Sequence, residues 1–330
     1  MPGRNWKQVK AIFHEALRHE SGERDVYLEH ACGEDIDLRI EVESLLISLT
    51  EAKSFLETPL VKTSGGSYNK WQLIDGEVVS HYRIIGRIGV GGMGEVYLAE
   101  DDKLRRRVAL KLLPRSMVAD RERLRRFQRE ALAVSALNHP NILTIFEFDS
   151  TDEKYFLASE YVDGETLRAR LKRDRLPVED ALDIAIQIVS AIQAAHKAGV
   201  IHRDIKPENV MIREDGLVKV LDFGLAKVTP ESTVSLETNT QFLSNPGTLM
   251  GTASYMSPEQ VRIQPIDKRS DIFSFGVVLY EMLSGKQPFT GDTNTDVIAA
   301  ILQKEPEQLI LKDSGHPAEL EDLVNRCLEK

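Results

Sequence analysis

The chain has 330 residues, of which 42% are hydrophobic and 28% charged, and its formal net charge is −10. This length is enough for about two domains, the composition excludes wholesale disorder, and the acidic balance argues against a nucleic-acid-binding protein. The two cysteines form neither a CxxC pair nor a disulfide framework, and no apolar run reaches the ~18 residues of a membrane helix, so we expect a cytoplasmic protein without membrane contact in this chain.

The first part of the chain predicts a short helical domain. Trp6, Ile12 and Phe13 recur at helical spacing near its start, and apolar residues form further stripes up to residue 58. We therefore predict three short helices over residues 1–58, a helical leader. Residues 59–80 contain a Thr-Ser-Gly-Gly-Ser run and predict a flexible linker.

From residue 81 the pattern changes to strands, which are later replaced by helices. The predicted strands are His81–Ile88, Glu95–Glu100, Val108–Leu112, Ile142–Phe148 and Tyr155–Tyr161, with a helix at Arg121–Leu137. The predicted later helices are Thr166–Lys172, Val178–Ala198, Asp271–Ser284, Thr293–Gln303 and Ala318–Glu329. A strand-rich part followed by a helix-rich part predicts two lobes rather than alternating βαβ units.

A glycine cluster that fits GxGxxGxV joins the first two strands. Its residues are Gly89, Val90, Gly91, Gly92, Met93, Gly94, Glu95 and Val96. Glycines let the backbone approach phosphates closely and point N–H groups at them, although they also make ordinary hairpin turns. A dinucleotide-binding fold would need a helix to begin here, whereas this sequence continues as a strand. The context therefore favours a loop that covers phosphates.

Lys111 lies inside the apolar strand Val108–Leu112. The simplest interpretation is a lysine that faces solvent. The alternative is a lysine that points into a cleft and binds phosphate oxygens, in which case a carboxylate must position it. Glu130 on the following helix is a candidate, and Glu122 competes but lies in the first helical turn, where it would stabilise the helix dipole.

The segment His202–Asn209 fits H-R-D-x-x-x-x-N and is the most specific pattern in the chain. In it, Asp204 can accept the proton of an incoming hydroxyl, Lys206 can contact a transferring phosphate, and Asn209 can bind a metal ion. A charged surface loop is the alternative. Asp222 begins a D-F-G tripeptide after an apolar strand, where a carboxylate is well placed to bind Mg²⁺.

These motifs, with Ser257-Pro258-Glu259 after them, occur in the order found in bacterial eukaryotic-like (Hanks-type) serine/threonine protein kinases, which residues 81–330 resemble. The resemblance implies an α+β, bilobal protein kinase fold. It would have a small β-rich N-lobe with one regulatory helix (81–161) and a larger helical C-lobe (162–330) that is truncated before its last helix, preceded by the short all-α leader. Lys206 and Thr252 imply serine/threonine rather than tyrosine specificity.

The resemblance also implies an activity and its partners. We expect transfer of the γ-phosphate of ATP to serine and threonine hydroxyls of proteins, including the chain's own activation segment, through self-association and trans-autophosphorylation. Mg²⁺ is the implied metal, with Mn²⁺ as a substitute. Beyond the glycine loop and Lys111, the residues implied to bind ATP are Val96, Ala109, Glu160, Val162 and Met211. Ser159 falls at the position that gates the pocket behind adenine, and the residues implied to stack across the lobes are Val134, Ile145, His202 and Phe223, anchored by Asp271.

Regulation is expected on the activation segment, which runs from Asp222 to Glu259. The resemblance implies that Arg203 binds a phosphate there. The candidate phosphosites are Thr240, Ser244 and Thr248, and Thr248 is favoured because it lies just before Thr252. Glu259 is implied to pair with an arginine that would follow Lys330, so we expect a longer full-length protein, and one hypothesis is a membrane anchor beyond that residue.

Two alternatives remain at this stage. A pseudokinase, an ATP-binding scaffold without phosphate transfer, predicts that the lysine, the aspartate or the asparagine of the motifs is missing, and none is. The second alternative makes the leader an interaction module to which a kinase-like regulatory fragment is attached.

Overall fold

The computed structural model describes residues 73–91, 94–152, 154–223, 253–309 and 318–330, with a few isolated positions between Ile12 and Arg39. The chain divides into two compact units, and all elements below belong to the unit formed by Ser67–Val234 and Pro246–Lys330. Several of the isolated leader positions are helical, and Leu28 among them is buried. Most of the three predicted leader helices lies outside the described residues.

Seven of the nine strands described below come before helix α3 in the chain. The strands are β1 (Val78–Val79), β2 (Tyr82–Gly91), β3 (Gly94–Asp101), β4 (Arg106–Leu112), β5 (Ile145–Thr151), β6 (Lys154–Glu160), β7 (Gly164–Thr166), β8 (Val210–Arg213) and β9 (Val218–Val220). The helices are α1 (Arg115–Ala119), α2 (Arg121–Ser135), α3 (Leu167–Arg173), α4 (Val178–Lys197), α5 (Pro258–Val261), α6 (Lys268–Ser284), α7 (Asn294–Gln303) and α8 (Ala318–Cys327).

The first six strands form one antiparallel sheet in the spatial order β1-β2-β3-β4-β6-β5. Because successive side chains of a strand point to opposite faces, each strand serves two surfaces. On β3, Tyr97 and Ala99 are fully buried and pack with Leu110 and Phe156 in a core on one face. The intervening residues, such as Val96, face the other side, where the candidate site lies.

Helix α2 packs against this sheet. Asp120 caps its N-terminus, since the Asp120 carboxylate accepts the backbone N–H groups of Glu122 and Arg123 at 3.0 Å each. The buried residues of the helix are Phe127, Ala131 and Val134. Glu130 lies next to this buried face, so the packing of α2 decides where its carboxylate can reach.

The second lobe is built around α6. Almost all of this helix from Ser270 to Leu283 is buried, with Ile272 as the exposed exception. A helix covered on all sides belongs at the centre of a lobe. It ends at Gly285, whose φ of 74° is the left-handed conformation that glycine adopts readily. Helix α4 and the small antiparallel sheet β7-β8-β9 complete the arrangement, and the predicted bilobal fold is confirmed.

Most predicted boundaries agree with the structure to within three residues, and two differences are informative. Strand β5 begins at Ile145 rather than Ile142, because Ile142 instead forms a parallel bridge with Val220. The large sheet begins at Val78, inside the range 59–80 that was predicted to be a linker.

Candidate active site

One face of the large sheet carries the side chains predicted to bind a nucleotide. In the strand register, Val96 lies opposite Lys111, and Leu98 lies opposite Ala109. Ala109 also lies opposite Ser159 on β6. Directly opposed residues share a face of the sheet, so these side chains form one continuous surface.

The hairpin of β2 and β3 holds the glycine cluster. Its described members are Gly89, Val90, Gly91, Gly94, Glu95 and Val96, while Gly92 and Met93 lie outside the described residues. Gly94 has a φ of 119°, and a Cβ added there would lie 1.9 Å from the carbonyl oxygen of Leu112. Only glycine fits at this position, which brings the hairpin close to the end of β4.

Lys111 reaches from β4 towards the strand end that carries Asp222. Its Nζ lies 2.8 Å from Oδ2 of Asp222, and Lys111 is only 8% exposed. A charged group buried to this extent needs a partner, so the interpretation of Lys111 as a solvent-facing lysine is wrong. Asp222 has a left-handed φ of 54°, which turns the chain directly after β9.

Glu130 does not pair with Lys111, contrary to the expectation from the sequence. Its Oε1 lies 3.5 Å from Nη1 of Arg203 instead. Burial raises the pKa of the Glu130 carboxyl, and the Arg203 guanidinium acts in the opposite direction. The physical reason for the difference is that each group has another partner: Asp222 holds the Lys111 ammonium group, and Arg203 holds the Glu130 carboxylate.

The three candidate catalytic and metal-binding side chains of the His202–Asn209 segment lie together. Nζ of Lys206 is 2.7 Å from Oδ2 of Asp204. The side-chain amide of Asn209 donates to the Asp204 carbonyl oxygen at 2.8 Å and to its Oδ2 at 3.0 Å. The loop therefore presents a carboxylate whose position is fixed by a neighbouring ammonium and a neighbouring amide.

Asp271, in the first turn of α6, anchors this loop through its backbone. Its carboxylate is buried and accepts the backbone N–H groups of His202 and Arg203, both at 2.8 Å. Nε2 of His196 lies 2.7 Å from the same carboxylate, a contact that the sequence analysis missed. Burial lowers the pKa of His202, whose ring lies 4.5 Å from that of Phe223.

Residues 82–330 match the protein kinase domain family. The chain belongs to this family. Among similar proteins, the serine/threonine-protein kinase PrkC of Bacillus subtilis is 39% identical over 259 residues, which cover 78% of this chain and 39% of that protein. PknB of Mycobacterium leprae is 37% identical over 254 residues, covering 76% of this chain and 40% of that protein. The kinase pkn3 of Myxococcus xanthus is 40% identical over 258 residues, covering 76% of this chain and 46% of that protein.

The kinase domain thus corresponds to less than half the length of these relatives. In the part of the chain that the structure describes, no helix combines the length and the apolar content that a membrane crossing requires.

Glu160, one of the residues implied to bind ATP, forms a largely buried ion pair. Oε1 of Glu160, the last residue of β6, accepts from Nζ of Lys219 and from the backbone N–H of Thr144, each at 2.7 Å. Lys219 on β9 is 6% exposed and also donates to the Ile142 carbonyl at 3.3 Å. The pair therefore ties the last strand of the N-lobe to the strand that precedes Asp222.

The other residues predicted to surround adenine lie near the Glu160–Lys219 pair. Ser159 is buried, and its hydroxyl donates to the Ala109 carbonyl at 3.4 Å. Val162, two residues after Glu160, is buried, and the half-buried Met211 on β8 lies opposite Lys219 on β9.

Arg168 on α3 is the centre of a network that no sequence motif indicated. Its guanidinium donates to Glu208 and to Glu281, at 2.7 Å each, and to the hydroxyl of Tyr255. The Tyr255 hydroxyl also donates to Glu281, and burial raises the pKa of Tyr255 with a further contribution from the Glu281 carboxylate. Glu208 lies beside Asn209, so the network connects the candidate catalytic loop with Tyr255 at the end of the activation segment.

The predicted regulatory residues divide into two groups. The residues outside the described part of the chain are Thr240, Ser244, Thr248 and Thr252. Arg203 contacts Glu130, and the Glu259 carboxylate accepts a hydrogen bond from the Ser270 hydroxyl on α6.

Proposed function

We propose that this chain is a serine/threonine protein kinase that transfers the γ-phosphate of ATP to hydroxyl groups of proteins. The observation that carries the proposal is that Lys111 pairs with Asp222 while Lys206 and Asn209 hold Asp204. The two groups are neighbours, because the N–H of Leu221, the residue before Asp222, donates to the Asn209 carbonyl at 2.8 Å. Family membership supports it, and so do the printed names of the relatives, which are serine/threonine-protein kinases.

The residues of the cleft suit a reaction that depends on placement and charge neutralisation. Lys111 and Lys206 offset negative charge on the phosphates. Asp204, held by Asn209, orients the substrate hydroxyl and accepts its proton, and general-base help of this kind is typically worth about 10²–10⁴-fold in rate. The adenine ring fits the apolar surface of Val96 and Ala109, while the Glu160–Val162 backbone supplies the polar contacts.

The donor set suits Mg²⁺, or Mn²⁺ in its place. Asn209 uses its amide nitrogen for Asp204, and within the described residues its amide oxygen makes no hydrogen bond. That oxygen and the Asp222 carboxylate are the hard oxygen ligands that Mg²⁺ prefers alongside phosphate oxygens. When bound, the metal neutralises charge on the phosphates.

The proposed partners are proteins that present serine or threonine, including a second copy of this chain in trans-autophosphorylation. The net charge of −10 disfavours nucleic acid as a partner. We place the reaction in the cytoplasm, the compartment that holds ATP and favours free cysteines.

The pairing of Lys111 and Glu130 with other residues suggests how phosphorylation activates the kinase. Glu130 is held by Arg203, and Lys111 is held by Asp222. A phosphate on Thr248 is a stronger partner for Arg203 than a carboxylate is, because it carries more charge and three acceptor oxygens. Release of Glu130 then lets it pair with Lys111 and frees Asp222 for the metal.

Incubation with labelled ATP and Mg²⁺ tests the function. The wild type should incorporate label into itself or a generic protein substrate, and Asp204→Asn should lose measurable turnover while still binding ATP. Asp215→Asn, on the turn between β8 and β9, is the matched control and should behave like wild type. ATP binding without any transfer by the wild type would favour the scaffold alternative.

Phosphopeptide mapping after the same incubation tests the regulation. We expect label on Thr248, with Thr240 and Ser244 as secondary sites, and a lower rate for Thr248→Ala. A Thr248→Ala variant with full activity would refute the proposed role of this residue.

A further inference from the structure

The residues just before the family match form an ordered strap, defined here as Leu73–Val79, along the edge of the large sheet. The strap turns at Gly76, whose φ is 84°, and a hydrogen bond of 3.0 Å from the Glu77 N–H to the Ile74 carbonyl closes the turn. The Gly76 N–H donates to the Ile84 carbonyl at 2.8 Å, and the Ile84 N–H returns a bond of 2.9 Å to the Glu77 carbonyl.

Side chains fasten the strap to the N-lobe as well. Nζ of Lys154 on β6 lies 3.0 Å from Oε1 of Glu77. Val79 is buried, and Leu73 packs against the same core as Tyr97 and Tyr82. The strap is therefore part of the folded N-lobe, although it lies outside the matched residues 82–330.

The start of the strap is connected to the glycine loop through Tyr97. The Leu73 N–H donates to the Tyr97 hydroxyl at 3.2 Å, and that hydroxyl donates in turn to Oε2 of Glu95. Burial and the bond to Glu95 raise the pKa of Tyr97, so its hydroxyl keeps the proton that it donates.

Glu95 occupies the base of the phosphate-covering hairpin. It follows Gly94 directly and lies opposite Val90 in the strand register. Its carboxylate is 3% exposed, and Nη1 of Arg87 on β2 lies 3.6 Å from it. A buried carboxylate needs its donors, so the Tyr97 hydroxyl fixes the place of Glu95 and, through it, the hairpin base.

We propose that Tyr97 is a positioning residue for nucleotide binding, and that the strap Leu73–Val79 acts through it to set the glycine loop. The chain of contacts runs from the Leu73 backbone to Tyr97, then to Glu95, and then to the hairpin that carries Gly91 and Gly94. A conformational change in the segment before the kinase domain that displaces Leu73 would therefore shift the glycine loop and change the affinity for ATP. This inference rests on the proposed ATP-dependent function.

Tyr97→Phe in the full chain tests the inference, because it removes only the hydroxyl. We expect the dissociation constant of a fluorescent ATP analogue, measured with Mg²⁺, to rise at least about fivefold, since a bond to a charged group is lost at the base of the loop. The KM for a peptide substrate should stay unchanged, because Tyr97 and Glu95 are buried and present no surface to such a substrate. The matched control is Tyr82→Phe, which removes a similar bond of 2.6 Å to Glu147 in the same core.

Leu73→Pro tests the contribution of the strap. Proline removes the N–H that bonds to Tyr97, so the nucleotide affinity should fall, and the double variant with Tyr97→Phe should bind no more weakly than Tyr97→Phe alone. Asp75→Pro is its control, because Asp75 is the second residue of a turn in which proline is favoured.

The outcomes separate the proposals. If Tyr97→Phe and Tyr82→Phe change the nucleotide affinity equally, Tyr97 has only a structural role and the inference fails. If Leu73→Pro binds the nucleotide like wild type, the strap does not act on the loop and the inference fails in that part. If the wild type binds no nucleotide at all, the proposed function itself is overturned.

Discussion

Replacement of Lys219 by methionine tests how much the ion pair with Glu160 contributes to the stability of the domain. The change keeps the aliphatic stem but removes the ammonium group, which leaves the Glu160 carboxylate with the Thr144 N–H as a donor. Breaking a buried pair in this way costs ~3–5 kcal/mol of folding free energy. The Glu160 side chain is 22% exposed and keeps one hydrogen bond, so we expect a loss at the lower end, about 3 kcal/mol.

Urea unfolding measures this loss. With an m-value of ~2 kcal/mol per molar for the transition, the midpoint should fall by about 1.5 M. The double variant Lys219→Met/Glu160→Gln removes both charges, and its unfolding free energy should return to within about 1 kcal/mol of wild type. A single variant that loses less than about 1 kcal/mol, or a double variant in which the losses add, would refute the reasoning.

Three further predictions concern separate parts of the domain. Gly94→Ala places a Cβ against the Leu112 carbonyl, so nucleotide binding should weaken at least about tenfold in a fluorescence titration, while a wild-type affinity would contradict the tight approach. Ser159→Met should make the kinase insensitive to bulky ATP-site inhibitors, because the larger side chain closes the pocket behind adenine, while ATP turnover stays in place. Unchanged inhibition would reject the assignment of Ser159 as the residue that gates this pocket. The pKa of the Tyr255 hydroxyl is raised in the folded state, so as the pH passes about 10 the hydroxyl loses its proton in the unfolded chain first. The free energy of unfolding of the wild type should therefore fall above that pH, by up to ~1.4 kcal/mol per pH unit from this residue. Tyr255→Phe should show a shallower fall in unfolding experiments between pH 9 and 11, and an equal slope would exclude a contribution from Tyr255.

The sequence predicted the lobes and the cleft residues because both depend on local patterns. The strand-rich and helix-rich stretches predicted two lobes, and the fixed spacing of Asp204, Lys206 and Asn209 placed them in one loop, where the structure brings them together. Such features need only the neighbouring residues, which the sequence shows directly.

Partner choice over long distances could not be predicted. Lys111 pairs with Asp222, 111 residues further along the chain, while Glu130 pairs with Arg203, and no local pattern indicates either choice. Arg168 bonds to groups 40 and 113 residues away, and nothing in the spacing of Glu208 or Glu281 indicates that they meet. The contacts of the strap with Tyr97 and Lys154 are also distant in sequence, so they could not be predicted either.

Strand β1 illustrates why a short element is missed. Val78–Val79 has two residues, follows a glycine-containing turn, and gives no alternating pattern of its own. It is ordered because β2 supplies its hydrogen-bond partners and because Leu73 finds an acceptor on Tyr97. The information that makes it a strand therefore lies in other segments of the chain.

Helix α6 fixes the distance between two parts of the kinase domain. Asp271 near its start holds the loop that carries Asp204, and Glu281 near its end holds Arg168 and Tyr255. Asp271 and Glu281 are ten positions apart along the helix, a rise of about 15 Å. Inserting or deleting a single residue between its two ends would rotate one carboxylate away from its partners by about 100°. The length of a buried helix thus sets the distance between the loop that carries Asp204 and the network around Tyr255.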